Sequence, residues 1–334
     1  MERWWPRVAG ALAGGLLLVA GCSDPARPGP SGEATGTTAA EPDRPPARAV
    51  VPAMPVVDPP TSVLVGRRIC VDPGHDAHWA VGATGYDSRG RVPVHPTAGV
   101  PLYEYELTLK VGYRLASLLQ ERGADVCITR KEDGTMQIEP YDFTGDGRVR
   151  TDGKALEDAP ERLQPRIDWA NRFGAEVLVS VHFNGAGDPS VRGTEVYYSD
   201  TGPREERGRL LAESLRRGVL DGLRDSGYVT IDRGVHSDRY GRYTPEVRSR
   251  SLRNNAAAIV ANGADPARCA DCLRLGVLGN NPMSLQMGTY VGALVELEYL
   301  SSPQAVETFL LRGDSIDVMA AALADGLVAY FGGP

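Results

Sequence analysis

From Arg67 onward, short apolar runs alternate with longer stretches in which apolar side chains recur every three to four residues. The runs Arg67–Val71, Ala124–Thr129, Glu176–His182, Thr194–Tyr198, Leu275–Leu278 and Tyr290–Leu297 are of strand length and predict strands. Between them, Tyr105–Glu121 carries Leu109, Gly112, Leu115, Leu118 and Leu119 at helical spacing, and Pro160–Phe173 and Leu210–Asp225 show a similar period. Ser302–Phe331 closes the chain with more helix. This alternation predicts βαβ units in a three-layer α/β/α fold, with a central, mainly parallel mixed sheet of about six strands. In such sheets functional side chains gather beyond the carboxyl ends of the strands. His75 follows the first run, His182 ends the third and Glu296 lies at the end of the last.

Upstream of that pattern the chain reads differently. Residues 1–22 begin with Arg3 and Arg7, continue through Val, Ala, Leu and Gly, and finish in small residues before Cys22, the three-part form of a secretory signal. The ending V-A-G-C resembles the lipobox of bacterial lipoproteins, which implies lipidation of Cys22, export and an anchor on a membrane surface of the cell envelope. Residues 23–60 are rich in Pro, Ala and Gly and poor in large apolar side chains, so they cannot bury enough surface to offset their ordering entropy and read as a disordered tether. Its root-mean-square reach is on the order of 35 Å. The folded domain is expected over residues 61–334.

Composition narrows the partners. The net charge of −7 argues against a nucleic-acid partner, because phosphate binding draws on concentrated Lys and Arg. Of the histidines at 75, 78, 95, 182 and 236, only His75 and His182 stand at strand exits. A catalytic zinc site uses about three protein ligands and leaves a fourth position for water. Glu104 opens the first predicted helix and can turn back toward the strand ends, with Glu106 as its competitor two residues on. Asn184 is a candidate for hydrogen-bonding substrate or orienting a loop, and Ser180 for packing within its strand.

These residues belong to longer motifs. VDPGHD, the Glu104 segment with Leu109, Leu115 and Leu118–Leu119, the run RLQPRIDWAN, SVHFN with RGTEVYY, and LVELEYLSSP occur in order between about Arg67 and Phe331. Together they resemble the zinc-dependent N-acetylmuramoyl-L-alanine amidase family, the catalytic type shared with bacterial cell-separation and spore amidases. The resemblance implies one zinc ion bound by His75, Glu104 and His182, with Glu296 as the catalytic glutamate. It also implies a substrate, the peptidoglycan amide between the lactyl group of N-acetylmuramic acid and L-alanine. Two alternatives stand beside it: an inactive or autoinhibited amidase-fold lipoprotein that binds wall or a partner protein, and a zinc peptidase or deacylase on another substrate. Retention of all four residues argues against the inactive reading.

The chain departs from that family in places. Members usually carry Gly-Phe where Glu298 and Tyr299 stand, so Glu298 is a rival for the catalytic role. An insert near residues 236–274 replaces a short link and carries Arg239, Arg242, Arg248, Arg250 and Arg253, which read as a solvated helix face with substrate contact as the alternative. In some members an inserted helix blocks the site until a partner protein removes it, and the insert here is a candidate for the same role. Cys269 and Cys272 form a C-x-x-C expected to close a local disulfide. Cys70 and Cys127, on neighbouring predicted strands, are read as buried thiols rather than a cross-strand bridge, because adjacent parallel strands seldom suit disulfide geometry. Asp142, Thr144, Asp146 and Gly147 are spaced as in a calcium loop, but the closing glutamate is missing, which argues against calcium.

Overall fold

The computed structural model describes residues 62–76, 102–142, 147, 149, 160–200, 203–238, 260, 265, 277–278 and 288–333. They belong to one compact unit, Asp58–Pro334. In chain order the elements are β1 (Arg68–Pro73), α1 (Glu104–Glu121), β2 (Asp125–Ile128), α2 (Pro160–Phe173), β3 (Val177–Asn184), β4 (Thr194–Tyr198), α3 (Glu205–Asp225), β5 (Asp232–Ser237) and β6 (Val291–Tyr299). A short α4 (Pro303–Ala305) runs into a π-helical turn (Val306–Leu310), and α5 (Ser315–Gly332) follows.

The strands form one sheet in the order β2-β1-β3-β6-β4-β5. β2, β1, β3 and β6 pair in parallel. β4 runs antiparallel to β6, and β5 pairs parallel to β4, so the sheet is mixed. Alternation along the strands sends two sets of side chains to opposite faces. Ile69, Val71, Val177, Val179, Val181, Val291, Ala293 and Val295 pack with Leu107, Val111 and Leu115 of α1, Leu211 and Leu215 of α3, and Met319 and Leu323 of α5. Cys70, Cys127, Leu178 and Tyr290 pack with Leu163, Ile167 and Ala170 of α2 on the other side. Three layers result, as the pattern predicts.

α3 packs closely against α5. A Cβ on Gly218 would lie 2.6 Å from the Ala322 carbonyl oxygen, so the two backbones meet there with no room for a side chain. α5 is long and apolar enough to cross a membrane by length and composition alone. Met319, Ala320, Leu323 and Leu327 are nevertheless buried in the core, which accounts for its apolar character without a membrane.

Three expectations need correction. The strand predicted at Leu275–Leu278 is described only at Val277 and Leu278, which lie in a turn and bend. Both are buried; Val277 packs in the α2-side core and its carbonyl accepts a 2.6 Å hydrogen bond from the Tyr290 hydroxyl, so its apolar character serves that core rather than a ladder. β5, by contrast, carries the sequence DRGVHS, whose polar residues hide its strand period; at the sheet edge its side chains are only partly buried. Finally, Cys70 and Cys127 are joined by a disulfide, not left as thiols. They are directly opposite in the β1–β2 register, both on the α2 side, with Cα atoms 4.5 Å apart, within the range that a bridge spans. Exact register supplies the approach that strand adjacency alone does not.

Candidate metal centre

The chain leaves β1 through Asp72-Pro73-Gly74-His75. The Gly74 N–H donates to the Val181 carbonyl at 2.9 Å, extending the β1–β3 ladder past the strand end. His75 then takes φ of +57°, the left-handed region that a side-chain-bearing residue enters only at a cost. That conformation turns the imidazole back over the sheet end. Gly74 makes the return feasible by space rather than by backbone angle: a Cβ there would lie 2.3 Å from Cε1 and 2.4 Å from Nε2 of His182.

Glu104 is the first residue of α1 and is almost fully buried. Its Oε1 lies 3.1 Å from His75 Nε2 and 3.1 Å from His182 Nδ1, and it accepts a 2.8 Å bond from the Phe183 N–H. The two imidazoles meet edge to face with centroids 4.9 Å apart. Glu106, the sequence-level competitor, instead accepts from the Tyr105 hydroxyl at 3.0 Å. Burial pushes the Glu104 carboxyl up, but the neighbouring His75 charge and the His182 and His75 hydrogen bonds outweigh it and hold the group well below the usual carboxylate range. For His182, burial pulls downward, while the bond and charge of Glu104, with Glu296 and Asp72 behind them, raise it to about 9.

Glu296 enters from β6. It stands opposite His182 of β3 and opposite Glu195 of β4, so it lies between the metal-capable cluster and a second carboxylate. Glu195 is fully buried and accepts from Asn184 Nδ2 at 2.5 Å and from the Tyr299 hydroxyl at 2.8 Å. Asn184 also accepts from the Gly185 N–H at 2.8 Å, so its amide ties β3 to β4 and to the following loop. Ser180 donates to Asp72 at 2.7 Å within the sheet.

Glu298 has a different setting. Its Oε1 accepts from the Gly193 and Tyr299 N–H groups at 2.5 and 2.9 Å, and its Oε2 from the Tyr228 and Thr230 hydroxyls at 2.8 and 2.7 Å. A fully buried carboxylate saturated by four donors is a structural anchor between β6, β4 and the α3–β5 connection, and it is poorly suited to moving protons.

Sequence reasoning passes over Asp72, Arg130, Arg166 and Glu195, all buried around the site. Asp72, Arg166 and Glu195 do lie inside the quoted motifs VDPGHD, RLQPRIDWAN and RGTEVYY, which is the signal the sequence offers for them. Asp72 is held by Arg166 at 2.6 Å, Thr129 at 2.5 Å and Ser180 at 2.7 Å; burial opposes its ionisation, and these partners together lower its pKa. Cys22, Cys269, Cys272 and the insert arginines lie outside the described residues, as do Thr144 and Asp146 of the calcium-like loop.

The family model described as N-acetylmuramoyl-L-alanine amidase matches residues 69–328. The chain belongs to the N-acetylmuramoyl-L-alanine amidase family. A germination-specific N-acetylmuramoyl-L-alanine amidase of Bacillus subtilis (strain 168) is 27% identical over 157 residues, 47% of this chain and 55% of that relative, so the match spans about half the relative's length. Among solved structures, the amidase AmiC2 of Nostoc punctiforme is 22% identical, with 80% of this chain and 98% of that one covered at a TM-score of 0.47. The CwlD amidase from Clostridioides difficile, solved in complex with the GerS lipoprotein, is 16% identical, with 80% and 99% covered at a TM-score of 0.49.

In this chain the donor set fits a divalent metal. His75, Glu104 and His182 each offer one ligand atom, and these atoms lie within 4.8 Å of one another. Zinc bonds of about 2.0–2.1 Å in tetrahedral array place ligand atoms about 3.3 Å apart. Both separations from Glu104 Oε1, at 3.1 Å, are close to that spacing. Two imidazoles and one carboxylate also form a donor set that zinc favours in hydrolases.

Proposed function

We propose that the chain is a zinc-dependent amidase acting on peptidoglycan, which hydrolyses the amide between the lactyl group of N-acetylmuramic acid and L-alanine of the stem peptide. The observation that carries this reading is the convergence of His75, Glu104 and His182, with Glu296 in register beside them. Family membership supplies the substrate class.

His75, Glu104 and His182 would hold one zinc ion. Held by two neutral imidazoles and a carboxylate, zinc keeps a net positive charge and supplies Lewis acidity to the amide carbonyl and acidity to the attacking water. Glu296 takes the proton that the water loses and returns it to the nitrogen of the leaving L-alanine as the C–N bond breaks. The products are a free lactyl carboxylate and a new L-alanine amino terminus. Glu195 fixes the far side of this arrangement by holding Asn184 and Tyr299, while Glu104 keeps both imidazoles facing one point before metal arrives.

The N-terminus and the disulfide support an exported, membrane-anchored location. Signal-like residues 1–22 and a lipidated Cys22 would export the enzyme and anchor it to a membrane, with residues 23–60 as tether to the wall. The Cys70–Cys127 bridge supports export, since such bonds persist in oxidising compartments. The insert remains a proposed site of regulation by a partner protein.

The test is product analysis on purified peptidoglycan. New L-alanine amino termini without new reducing sugar ends are expected, and removal of zinc by chelator should abolish them. Glu296→Gln should retain zinc and lose about 10²- to 10⁴-fold in turnover, the usual contribution of a positioned acid–base group. Glu298→Gln should keep turnover within tenfold and instead lower stability by about 2–3 kcal/mol, because the new amide presents donors to donors. A zinc-loaded protein that leaves muropeptides intact would remove the proposal.

A further inference from the structure

The turn carrying His75 is held by two arginines from elsewhere in the fold. Arg166 of α2 donates through Nη1 to the Pro73 carbonyl at 2.9 Å and through Nη2 to the His75 carbonyl at 2.5 Å. Arg130, just past β2, donates through Nη1 to the Gly74 carbonyl at 3.0 Å and to the Tyr105 carbonyl at 2.9 Å. The carbonyls of Pro73, Gly74 and His75 thus each accept from a buried guanidinium, Arg130 being 0% and Arg166 5% exposed. Thr108 Oγ1 adds a second donor to the Gly74 carbonyl at 2.8 Å.

This arrangement has a physical purpose beyond packing. A left-handed His75 is intrinsically unfavourable and persists only where its surroundings over-determine it. Three carbonyls fixed in succession leave the peptide planes on either side of His75 little freedom, and with them the direction of its side chain. The geometry also requires guanidinium. Arg166 spans the Asp72 carboxylate, the Pro73 carbonyl and the His75 carbonyl with two nitrogens of one rigid fork, whereas an ammonium presents a single compact donor centre. Asp72 balances the charge of Arg166 at 2.6 Å, so the clamp is fixed to β1 itself.

We propose that Arg166 and Arg130 are positioning residues for metal binding, holding the Pro73-Gly74-His75 turn so that His75 is aimed at Glu104 and His182 before the ion arrives. The inference rests on the reading of this cluster as a zinc site. It places part of the metal affinity in residues that touch neither metal nor substrate. Lysine is the informative replacement, because it keeps the positive charge near the cation and changes only the number and geometry of the bonds.

The test measures zinc affinity of the purified chain by competition with a chromophoric chelator, together with thermal melting in excess chelator. Arg166→Lys and Arg130→Lys are each expected to weaken zinc binding by about 10- to 100-fold, the usual effect of losing an outer partner of a ligand. With excess zinc, turnover should return toward the wild-type plateau, since the bound ion then fixes His75. Ile167→Val, on α2 and fully buried but facing the core, is the control: it should lower the melting temperature and leave zinc affinity within twofold. Cobalt-substituted Arg166→Lys should show an altered visible ligand-field spectrum. If either lysine variant fails to fold, the other decides. The inference is overturned if a folded lysine variant binds zinc as tightly as wild type, or if Ile167→Val loses as much affinity as the variants do. Wild-type protein that binds no zinc overturns the zinc reading instead.

Discussion

Gly74→Ala isolates the close approach on which the site is built. Gly74 is not among the glycines with positive φ, so alanine meets no backbone penalty there, and the entire effect is one of space. The added Cβ would lie 2.3 Å from Cε1, 2.4 Å from Nε2 and 2.6 Å from Nδ1 of His182. Ordinary contact needs about 3.4 Å or more, so ring and backbone must separate by about 1 Å. Neither side is free to move. The Gly74 peptide is held by its N–H to Val181 at 2.9 Å and by its carbonyl to Thr108 at 2.8 Å and Arg130 at 3.0 Å. The His182 ring is held by Glu104 at 3.1 Å, and Glu104 by the Phe183 N–H at 2.8 Å.

Overpacking of this kind costs about 1–3 kcal/mol. Metal coordination tolerates displacements of only about 0.2 Å, so the strain falls on zinc binding rather than being absorbed nearby. At about 1.4 kcal/mol per tenfold, zinc affinity should drop about 5- to 140-fold. The assay is chelator competition at neutral pH, with a melting curve in excess chelator to establish that the variant folds. Affinity within twofold of wild type in a folded Gly74→Ala protein would show that ring and turn can part freely, and the reasoning from close approach would fail.

Two further outcomes follow from the same structure. Replacing Cys70 and Cys127 together by alanine opens a loop of sequence separation 57, and chain-entropy arguments give a stability loss of about 4 kcal/mol, read as a lower denaturant midpoint; an unchanged midpoint would contradict it. In metal-free protein, His182 raised from 6.5 to about 9 contributes stability that is full below about pH 6.5 and is lost as pH rises through about 9, while Glu104, held low, contributes above about pH 4.5 and loses it only well below that. Melting temperature in excess chelator should therefore fall from about pH 6.5 to pH 9, a decline that zinc saturation removes; a flat chelated series would refute the link.

The parts of the site that were legible in the sequence are those fixed by position along one element. His75 and His182 stand at the ends of apolar runs, and Glu104 begins a helix, so a sheet with parallel β1, β3 and β6 brings them toward the carboxyl ends of its strands. What was not legible depends on pairing between distant segments. Glu298 reads as a rival base because a carboxylate stands where the family usually carries glycine, and only the fold shows that its oxygens are already taken, Oε2 by Tyr228 and Thr230 about 70 residues away and Oε1 by the Gly193 and Tyr299 N–H groups. The Cys70–Cys127 bridge turns on exact register, which strand adjacency does not specify. β5 escapes notice because an edge strand with half-buried side chains has no apolar period to display. Arg166 is the sharpest case. In RLQPRIDWAN it resembles a solvated helix charge, yet it reaches a carbonyl 91 residues upstream and is nearly fully buried. A ligand's identity can be written in a short motif, but the donors that aim it come from the tertiary fold, so metal affinity here should depend on residues that no local pattern would single out.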